Sequence, residues 1–170
     1  GLEDAARVAV RLGMPLRVWG VRQDEAYVAA VEAVVPAGTI EWRGFLPTET
    51  FQAELGRCAV FLNTPKWNEA FGNVVVEALA CGVPVAAYAR GGPCELVVEG
   101  VNGALAPADD LEALAEAVRR ARSVDRAACR RWAEEHHSQR AFSGAIEQWL
   151  LEVVEGEGGT ASHGISPTGG

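Results

Sequence analysis

The sequence lacks several features whose absence excludes classes of function. Lysine occurs only once, at Lys66, and the formal net charge is −8 at pH 7. An acidic chain is a poor partner for the phosphate backbone of a nucleic acid, so we expect no nucleic-acid binding. No apolar run reaches the roughly 18–20 residues that a membrane helix requires.

Cysteine and histidine are also scarce. None of the four cysteines belongs to a Cys-x-x-Cys pair, and each lies in or beside an apolar segment: Cys58, Cys81, Cys94 and Cys129. We expect reduced, buried thiols and a cytoplasmic location. His136 and His137 are adjacent and therefore point in different directions on a helix, so we expect no metal site. We expect no cofactor either.

Short apolar segments alternate with amphipathic segments along the chain, a pattern typical of βαβ units. The predicted strands are 16–19, 39–42, 59–62, 83–87 and 104–105. The predicted helices are 2–12, 24–35, 48–57 (with Thr48 as N-cap), 71–80, 93–98, 109–122, 125–135 and 138–154. The fold class predicted is α/β, a Rossmann-like doubly wound parallel sheet with helices on both faces.

The two ends of the sequence differ from this pattern. A doubly wound domain normally has a strand before its first helix, yet Leu2 already lies in a predicted helix. We therefore expect the chain to be cut at its N-terminus. The residues from Glu155 onward are rich in Gly, Ser and Thr without apolar periodicity. We predict one Rossmann-like domain over 1–152 and a disordered tail over 155–170.

The stretch WNEAFGNVVVEALACGVPV begins in a loop after a buried strand and continues into a helix. A helix beginning near Phe71 presents unpaired N–H groups and a positive dipole end, which together suit a diphosphate. Gly72 permits close approach of a ligand to the backbone. Glu69 repels a phosphate but accepts hydrogen bonds from the hydroxyls of a sugar beyond it.

A second carboxylate lies further along this helix. Asn73 and Glu77 are four residues apart and share a face. Glu77 can accept hydrogen bonds from both hydroxyls of a ribose, so the spacing suits a nucleotide sugar along the helix start. The alternative is that Asn73 and Glu77 form the solvated stripe of a buried helix, with Glu69 interacting with its dipole.

Several blocks of sequence resemble one enzyme family. The segment EAFGNVVVE, Glu69 to Glu77, resembles the Glu-x7-Glu motif of the retaining GT-B glycosyltransferases, of the glycosyl transferases group 1 type. The other blocks are LRVWG (16–20), IEWRGFLP (40–47), RGGPCELVVEGVNGALAP (90–107) and the closing helix HHSQRAFSGAIEQWL. The resemblance covers roughly residues 1–152 and implies the C-terminal, sugar-donor-binding half of a GT-B fold.

The resemblance also implies roles for individual residues. Glu69 is expected to be the catalytic residue and to bind the hydroxyls of the donor sugar, while Glu77 binds the ribose. The backbone N–H groups that face the donor are expected to come from Phe71, Gly72, Asn73 and Val74. The diphosphate and base sites are expected to include Gly20, Arg43 and Leu46. The resemblance further implies sugar transfer with retention of configuration and with no metal required.

The sequence departs from this family in what it omits. The Arg and Lys that clamp the diphosphate in the family would precede Gly1, as would the domain that holds the acceptor. We therefore expect weak binding of a UDP-, GDP- or ADP-sugar and little transfer by this chain alone. Arg22 and Arg90 can partly replace the clamp, or they are ordinary surface arginines. Trp67 contacts the donor or acceptor, or serves in packing like the other tryptophans.

Two rival functions stay open at this point. The first is a sugar-nucleotide epimerase, which shares the GT-B architecture. The second is a non-catalytic module that binds a nucleotide or a protein.

The last predicted helix carries an apolar stripe at helical spacing. The stripe consists of Phe142, Ile146, Trp149 and Leu150. In the family, part of this helix crosses to the other domain. We therefore expect an exposed apolar patch and some tendency to self-associate.

Overall fold

The computed structural model describes residues 1–157 of the chain and shows strands alternating with helices. The strands are β1 (Leu16–Trp19), β2 (Ile40–Gly44), β3 (Phe61–Asn63), β4 (Val85–Tyr88) and β5 (Gly103–Ala106). The helices are α1 (Leu2–Leu12), α2 (Glu25–Ala33), α3 (Thr48–Leu55), α4 (Asn73–Ala80), α5 (Pro93–Leu96), α6 (Leu111–Ala121), α7 (Arg126–His137) and α8 (Gln139–Glu157).

All strand pairs in the described residues are parallel, as the alternation of strands and helices predicts. The strands form two hydrogen-bonded groups, β1-β2 and β3-β4-β5. The α/β class with parallel sheets flanked by helices is therefore confirmed.

The core lies on both faces of β4. Successive side chains of a strand point to opposite faces, and β4 is fully buried along its length. Val85 and Ala87 belong to a cluster with residues of α4, α5 and α7. Ala86 and Tyr88 belong to a second cluster with α6 and Val8 of α1. Helices thus cover both faces of this sheet at β4, which explains why the β4 sequence, VAAY, has no charged residue.

The chain divides into two compact units. The first unit, Gly1–Ala133, contains both sheets and both core clusters. The second unit begins at Glu134, and its described part consists of the end of α7 and α8. Within residues 1–157, no helix combines the length and the apolar character needed to span a bilayer.

Several predicted boundaries differ from the observed ones for identifiable reasons. Thr48 is not an N-cap but the first residue of α3, because Pro47 occupies the capping position. Helix α4 begins at Asn73 rather than Phe71, because Gly72 has a φ of 95° and cannot continue a right-handed helix. Helix α8 extends to Glu157, and the rest of the predicted tail, 158–170, lies outside the described residues.

The cysteines are free thiols, as expected, but they are not all buried. Cys129 is buried, Cys58 and Cys81 are half-buried, and Cys94 is exposed. Cys94 lies in the single turn of α5, where only Pro93 and Leu96 face the core.

Candidate functional site

A cavity of about 910 Å³ opens at the carboxyl ends of β1 and β2, the edge at which parallel sheets bind ligands. Helices α3 and α4 form its other walls. The lining residues are Trp19, Gly20, Gly44, Phe45, Leu46, Thr48, Glu49, Phe51, Gln52, Ala53, Leu55, Glu77, Ala80, Cys81 and Arg130.

Three of the sequence-predicted residues line this cavity although they are far apart in the chain. Gly20 follows β1, Leu46 follows β2, and Glu77 lies in α4. The strand ends are fixed by the parallel pairing, which continues past β1 through a 2.9 Å bond from Gly20 N–H to the Gly44 carbonyl. Glu77 is exposed to solvent, so its carboxylate is accessible from the cavity.

The cavity wall combines aromatic and polar groups that motif reasoning missed. Trp19 and Phe51 meet edge to face, with ring centroids 5.6 Å apart. Cys81 also lines the cavity, and burial raises the pKa of its thiol, with Arg130 partly opposing this and Glu77 adding to it. The thiol is therefore neutral at pH 7. Only tertiary proximity joins these residues, so no local pattern could have revealed them.

The other predicted donor residues lie at the N-terminal end of α4. Gly72 caps this helix through its backbone, and no side chain makes a capping bond there. Phe71 and Val74 are each 46% exposed. Asn73 is exposed as well. Asn73 and Glu77 are four residues apart on one α-helix, so their backbones are about 6 Å apart along the helix axis.

The loop that carries Glu69 rests on the segment after β4. The Glu69 carbonyl accepts a 2.7 Å bond from Gly92 N–H, and Glu69 forms an isolated parallel bridge with Gly91. A Cβ atom on Gly91 would overlap the Glu69 carbonyl oxygen, and one on Gly92 would overlap the Phe71 carbonyl oxygen. The two glycines are therefore required for the loop to lie where it does.

A charged network includes the start of this loop, at Pro65 and Lys66. Lys66 donates to Asp4 and, at 2.7 Å, to Asp109. Arg90 donates to the Pro65 carbonyl at 2.8 Å and to Asp109. Hydrogen bonds from Lys66 and then Arg90 hold the pKa of Asp109 below its usual range. We did not predict this network from the sequence. The one available signal was that Lys66 is the single lysine of the sequence.

The arginines that the sequence assigned to the donor site are each bound to other groups of this chain. Arg43 does not line the cavity, and its guanidinium binds the Glu54 carboxylate at 2.9–3.2 Å. Arg22 pairs with Glu25 at 2.8 Å and lies over the Trp42 ring. Arg90 belongs to the network described above. Trp67 is 64% exposed and is therefore not a core residue.

Comparison with known proteins agrees with this geometry. A family model described as Glycosyl transferases group 1 matches residues 14–139. The D-inositol 3-phosphate glycosyltransferase of Mycolicibacterium smegmatis is 34% identical over 108 residues, covering 62% of this chain and 25% of that enzyme.

Two solved structures share the fold. AviGT4, a glycosyltransferase involved in avilamycin A biosynthesis, superimposes with a TM-score of 0.74 at 20% identity, over 92% of this chain and 48% of that one. HepE of Anabaena in complex with UDP-glucose gives 0.70 at 21% identity, over 91% and 44%. This chain thus spans 25% of the first relative's length and under half of these two structures. The structural neighbours show a GT-B glycosyltransferase fold, and because the family model covers most of the chain, the protein belongs to the glycosyl transferases group 1 family.

Proposed function

We propose that this chain is the donor-binding half of a retaining glycosyltransferase. It binds a nucleoside diphosphate sugar, and the sugar passes with retention to an acceptor held by a separate N-terminal domain. The observation that carries this proposal is the cavity in which Gly20, Leu46 and Glu77 meet, with Glu77 four residues after Asn73 at the start of α4.

The diphosphate binds at the start of α4. The first-turn N–H groups of a helix carry partial positive charge, and α4 has no side-chain cap that competes for them. Gly72 lies in the left-handed region, and Asn73 and Val74, which follow it, are exposed, so a phosphate oxygen can approach their amides.

The nucleoside and the sugar extend in opposite directions from the diphosphate. Glu77 accepts hydrogen bonds from the two ribose hydroxyls, and the base lies toward Leu46 and the end of β2. Glu69, in the loop before α4, binds the hydroxyls of the donor sugar. The known complex of HepE with UDP-glucose supports a nucleotide sugar as ligand, since the two proteins share a fold.

The transfer breaks the bond between the anomeric carbon and the diphosphate oxygen. The oxygen of an acceptor hydroxyl bonds to the same face of that carbon, and its proton passes to the departing diphosphate oxygen. The nucleoside diphosphate leaves with the bonding electron pair. The α4 amides are already oriented toward the charge that develops on it, which is electrostatic stabilisation of a leaving group. Glu69 acts by holding the sugar, and the chain alone binds the donor without transferring its sugar.

The test is a titration of the chain with UDP, GDP and ADP, followed by amide NMR. We expect shifts at residues 71–76 with one of the three nucleotides. Glu77→Gln keeps the size of the side chain and removes its charge, so it should weaken binding by about tenfold or more. Glu116→Gln, a surface carboxylate paired only with Arg119, is the control. Equal binding by all three proteins would overturn the proposed role of Glu77.

A second titration tests the sugar site. We expect Glu69→Gln to weaken binding of the sugar conjugate of the selected nucleotide while leaving binding of the free diphosphate unchanged. No shift with any nucleotide at millimolar concentration would overturn the donor-binding proposal.

A further inference from the structure

The loop between β3 and α4, residues 64–72, is held at two points by one short segment of the chain. We name it the donor loop. The Arg90 guanidinium reaches the start of this loop, where its Nη1 donates a 2.8 Å hydrogen bond to the Pro65 carbonyl. Two residues later, Gly92 N–H donates to the Glu69 carbonyl at 2.7 Å. The segment that begins at Arg90 therefore fixes the path of the donor loop up to Glu69.

Arg90 differs in burial from an ordinary surface arginine of this chain. Its side chain is 18% exposed, whereas that of Arg120, which also binds one carboxylate and one backbone carbonyl, is 43% exposed. An exposed ion pair restrains a chain weakly, because water competes for both charges. A largely buried guanidinium loses more when its partners move, since its charge is then left unpaired. The contacts of Arg90 therefore restrain the donor loop more strongly than a surface ion pair can.

The second partner of Arg90 has an unusual backbone conformation. Asp109, which accepts from Arg90 Nη2, has a φ of 65° and is the one residue other than glycine with a positive φ in the part of the chain that the structure describes. An L residue keeps such a conformation only where its surroundings fix it, and residues of this kind cluster at functional sites. Lys66 of the donor loop donates to the same carboxylate at 2.7 Å. Asp109 thus binds both Arg90 and the donor loop itself.

Both residues that hold the donor loop are joined to the core of the first unit. Arg90 follows β4, in which every residue is buried. Asp109 precedes Asp110, the N-cap of α6, and buried residues of α6 and β4 belong to one core cluster. A loop tied to such elements needs little reordering when a ligand binds, which is what a carboxylate that orients a sugar requires.

We infer that Arg90 is a positioning residue for Glu69. By binding the Pro65 carbonyl and Asp109 together, it holds the donor loop where the Glu69 carboxylate meets the hydroxyls of the donor sugar. This inference rests on the proposed role of Glu69 in sugar binding. Arg90 touches no ligand in this account, so its loss should weaken the contribution of the sugar and spare that of the diphosphate, which binds at the start of α4.

The first test needs no ligand and compares Arg90→Met with Arg120→Met. Both variants remove an arginine that bridges a carboxylate and a carbonyl, but the partners of Arg120 lie outside the donor loop. Amide hydrogen exchange at Gly92, measured relative to the Val85 N–H in the core, should be about tenfold faster in Arg90→Met than in the parent chain. Arg120→Met should leave this relative rate unchanged.

The second test measures dissociation constants for the nucleoside diphosphate selected by the first titration and for its sugar conjugate. In Arg90→Met we expect the constant for the conjugate, divided by that for the free diphosphate, to rise by about threefold or more. A purely structural role would not change this ratio. Asp109→Gly gives an independent check, because it removes the carboxylate but also relieves the positive φ. Its melting temperature should stay closer to the parent value than that of Arg90→Met, while the ratio rises in the same way.

Glu69→Gln in the same titrations separates this inference from the proposed function. If Glu69→Gln raises the ratio and Arg90→Met does not, the inference is overturned and the sugar site stands. If Glu69→Gln leaves the ratio unchanged, the proposed sugar site is overturned, and the inference with it. Equal exchange at Gly92 in Arg90→Met and Arg120→Met would overturn the inference whatever the ligands do.

Discussion

At the residue scale, two features require glycine at position 91: a positive φ and the close approach of the Glu69 backbone. Its φ is +69°, a region that costs an L residue about 1–2 kcal/mol, and a side chain there would overlap the Glu69 carbonyl oxygen. The loop bearing Glu69 therefore depends on a residue 22 positions away along the chain. Such a dependence arises because β3 and β4 are neighbours and their carboxyl ends lie at one edge.

We predict that Gly91→Ala lowers the free energy of unfolding by about 2–4 kcal/mol, the sum of backbone strain and overpacking. Gly13→Ala is the matched control, because Gly13 has a similar φ of +62° with no atom near the added Cβ. That variant should lose only about 1–2 kcal/mol. Urea denaturation measures both, and equal losses would show that the contact with Glu69 carries no cost.

Three of the residues that the sequence assigned to one site line one cavity in the structure, and their roles stay predictions. Glu77 lines the cavity because α4 sets its position, and Gly20 and Leu46 line it because they follow strands. Arg130 also lines the cavity but comes from a helix more than 50 residues later than Glu77. Proximity of that kind depends on the packing of α7, which no local pattern encodes.

At the scale of elements, one buried side chain organises the connection from α5 to β5. Asn102 is fully buried; its Oδ1 accepts from Val98 N–H at 2.8 Å, and its Nδ2 donates to the Leu96 carbonyl at 3.0 Å. The side chain thus satisfies two backbone groups that the short helix α5 leaves unpaired.

We predict that Asn102→Ala lowers the free energy of unfolding by about 2–4 kcal/mol, since it leaves two partly buried backbone groups unpaired. The comparison is Asp110→Ala, which removes the 2.9 Å cap of the exposed start of α6 and should cost about 1 kcal/mol. Chemical denaturation of both variants gives the two values. A smaller loss in Asn102→Ala than in Asp110→Ala would contradict this account.

The sequence predicted the bounds of some helices and strands better than those of others, because only some bounds are set by local residues. The bounds of α1 and β1 match the predicted ones, because Gly13 ends the helix and apolar residues define the strand. The start of α4 was placed two residues too early, since the sequence does not show which glycine adopts a left-handed conformation. The separation of the sheet into two groups also lay beyond local patterns, because strand pairing is set by tertiary packing.

The exposed face of α8 gives a further prediction at this scale. Phe142, Ile146, Trp149 and Leu150 are exposed, which confirms the apolar patch predicted from their spacing. We expect the chain to self-associate through this face as its concentration rises, and Trp149→Gln to weaken the association. Leu151→Gln is the control, because Leu151 is also exposed but points to the opposite side of the helix. Analytical ultracentrifugation distinguishes these outcomes, and a monomer at every concentration would contradict the prediction.

At the scale of the whole molecule, the charged network around Asp109 ties together distant parts of the first unit. It joins Asp4 of α1, Lys66 of the loop before α4, Arg90 after β4, and Asp109 before α6. Because the pKa of Asp109 is lowered in the folded state, its contribution to stability is present above the ordinary value of 3.8 and is lost as pH falls through the folded pKa.

Tyr88 makes the same network sensitive to alkali. Its hydroxyl donates a 2.8 Å hydrogen bond to Asp4, and its side chain is fully buried at the end of β4. Burial raises the pKa of the phenol well above its ordinary value of 10.0, and the hydrogen bond to Asp4 raises it further. As pH rises past 10, the unfolded chain loses this proton first. The stability that Tyr88 contributes is therefore complete below pH 10 and is lost as pH rises toward the folded pKa.

We predict that Tyr27→Phe, which leaves Tyr88 as the only tyrosine of the chain, shows no phenolate absorbance near pH 10 while the protein is folded. Phenolate should appear together with unfolding, because the buried phenol ionises only when the chain opens. Adding Tyr88→Phe removes the hydrogen bond to Asp4, so this double variant should be less stable at pH 7, yet its stability should decline less between pH 9 and pH 11. Absorbance and urea denaturation across this pH range measure both effects. Ionisation of Tyr88 near pH 10 in a folded chain would contradict the prediction, since it would mean that neither burial nor Asp4 holds the proton on the phenol.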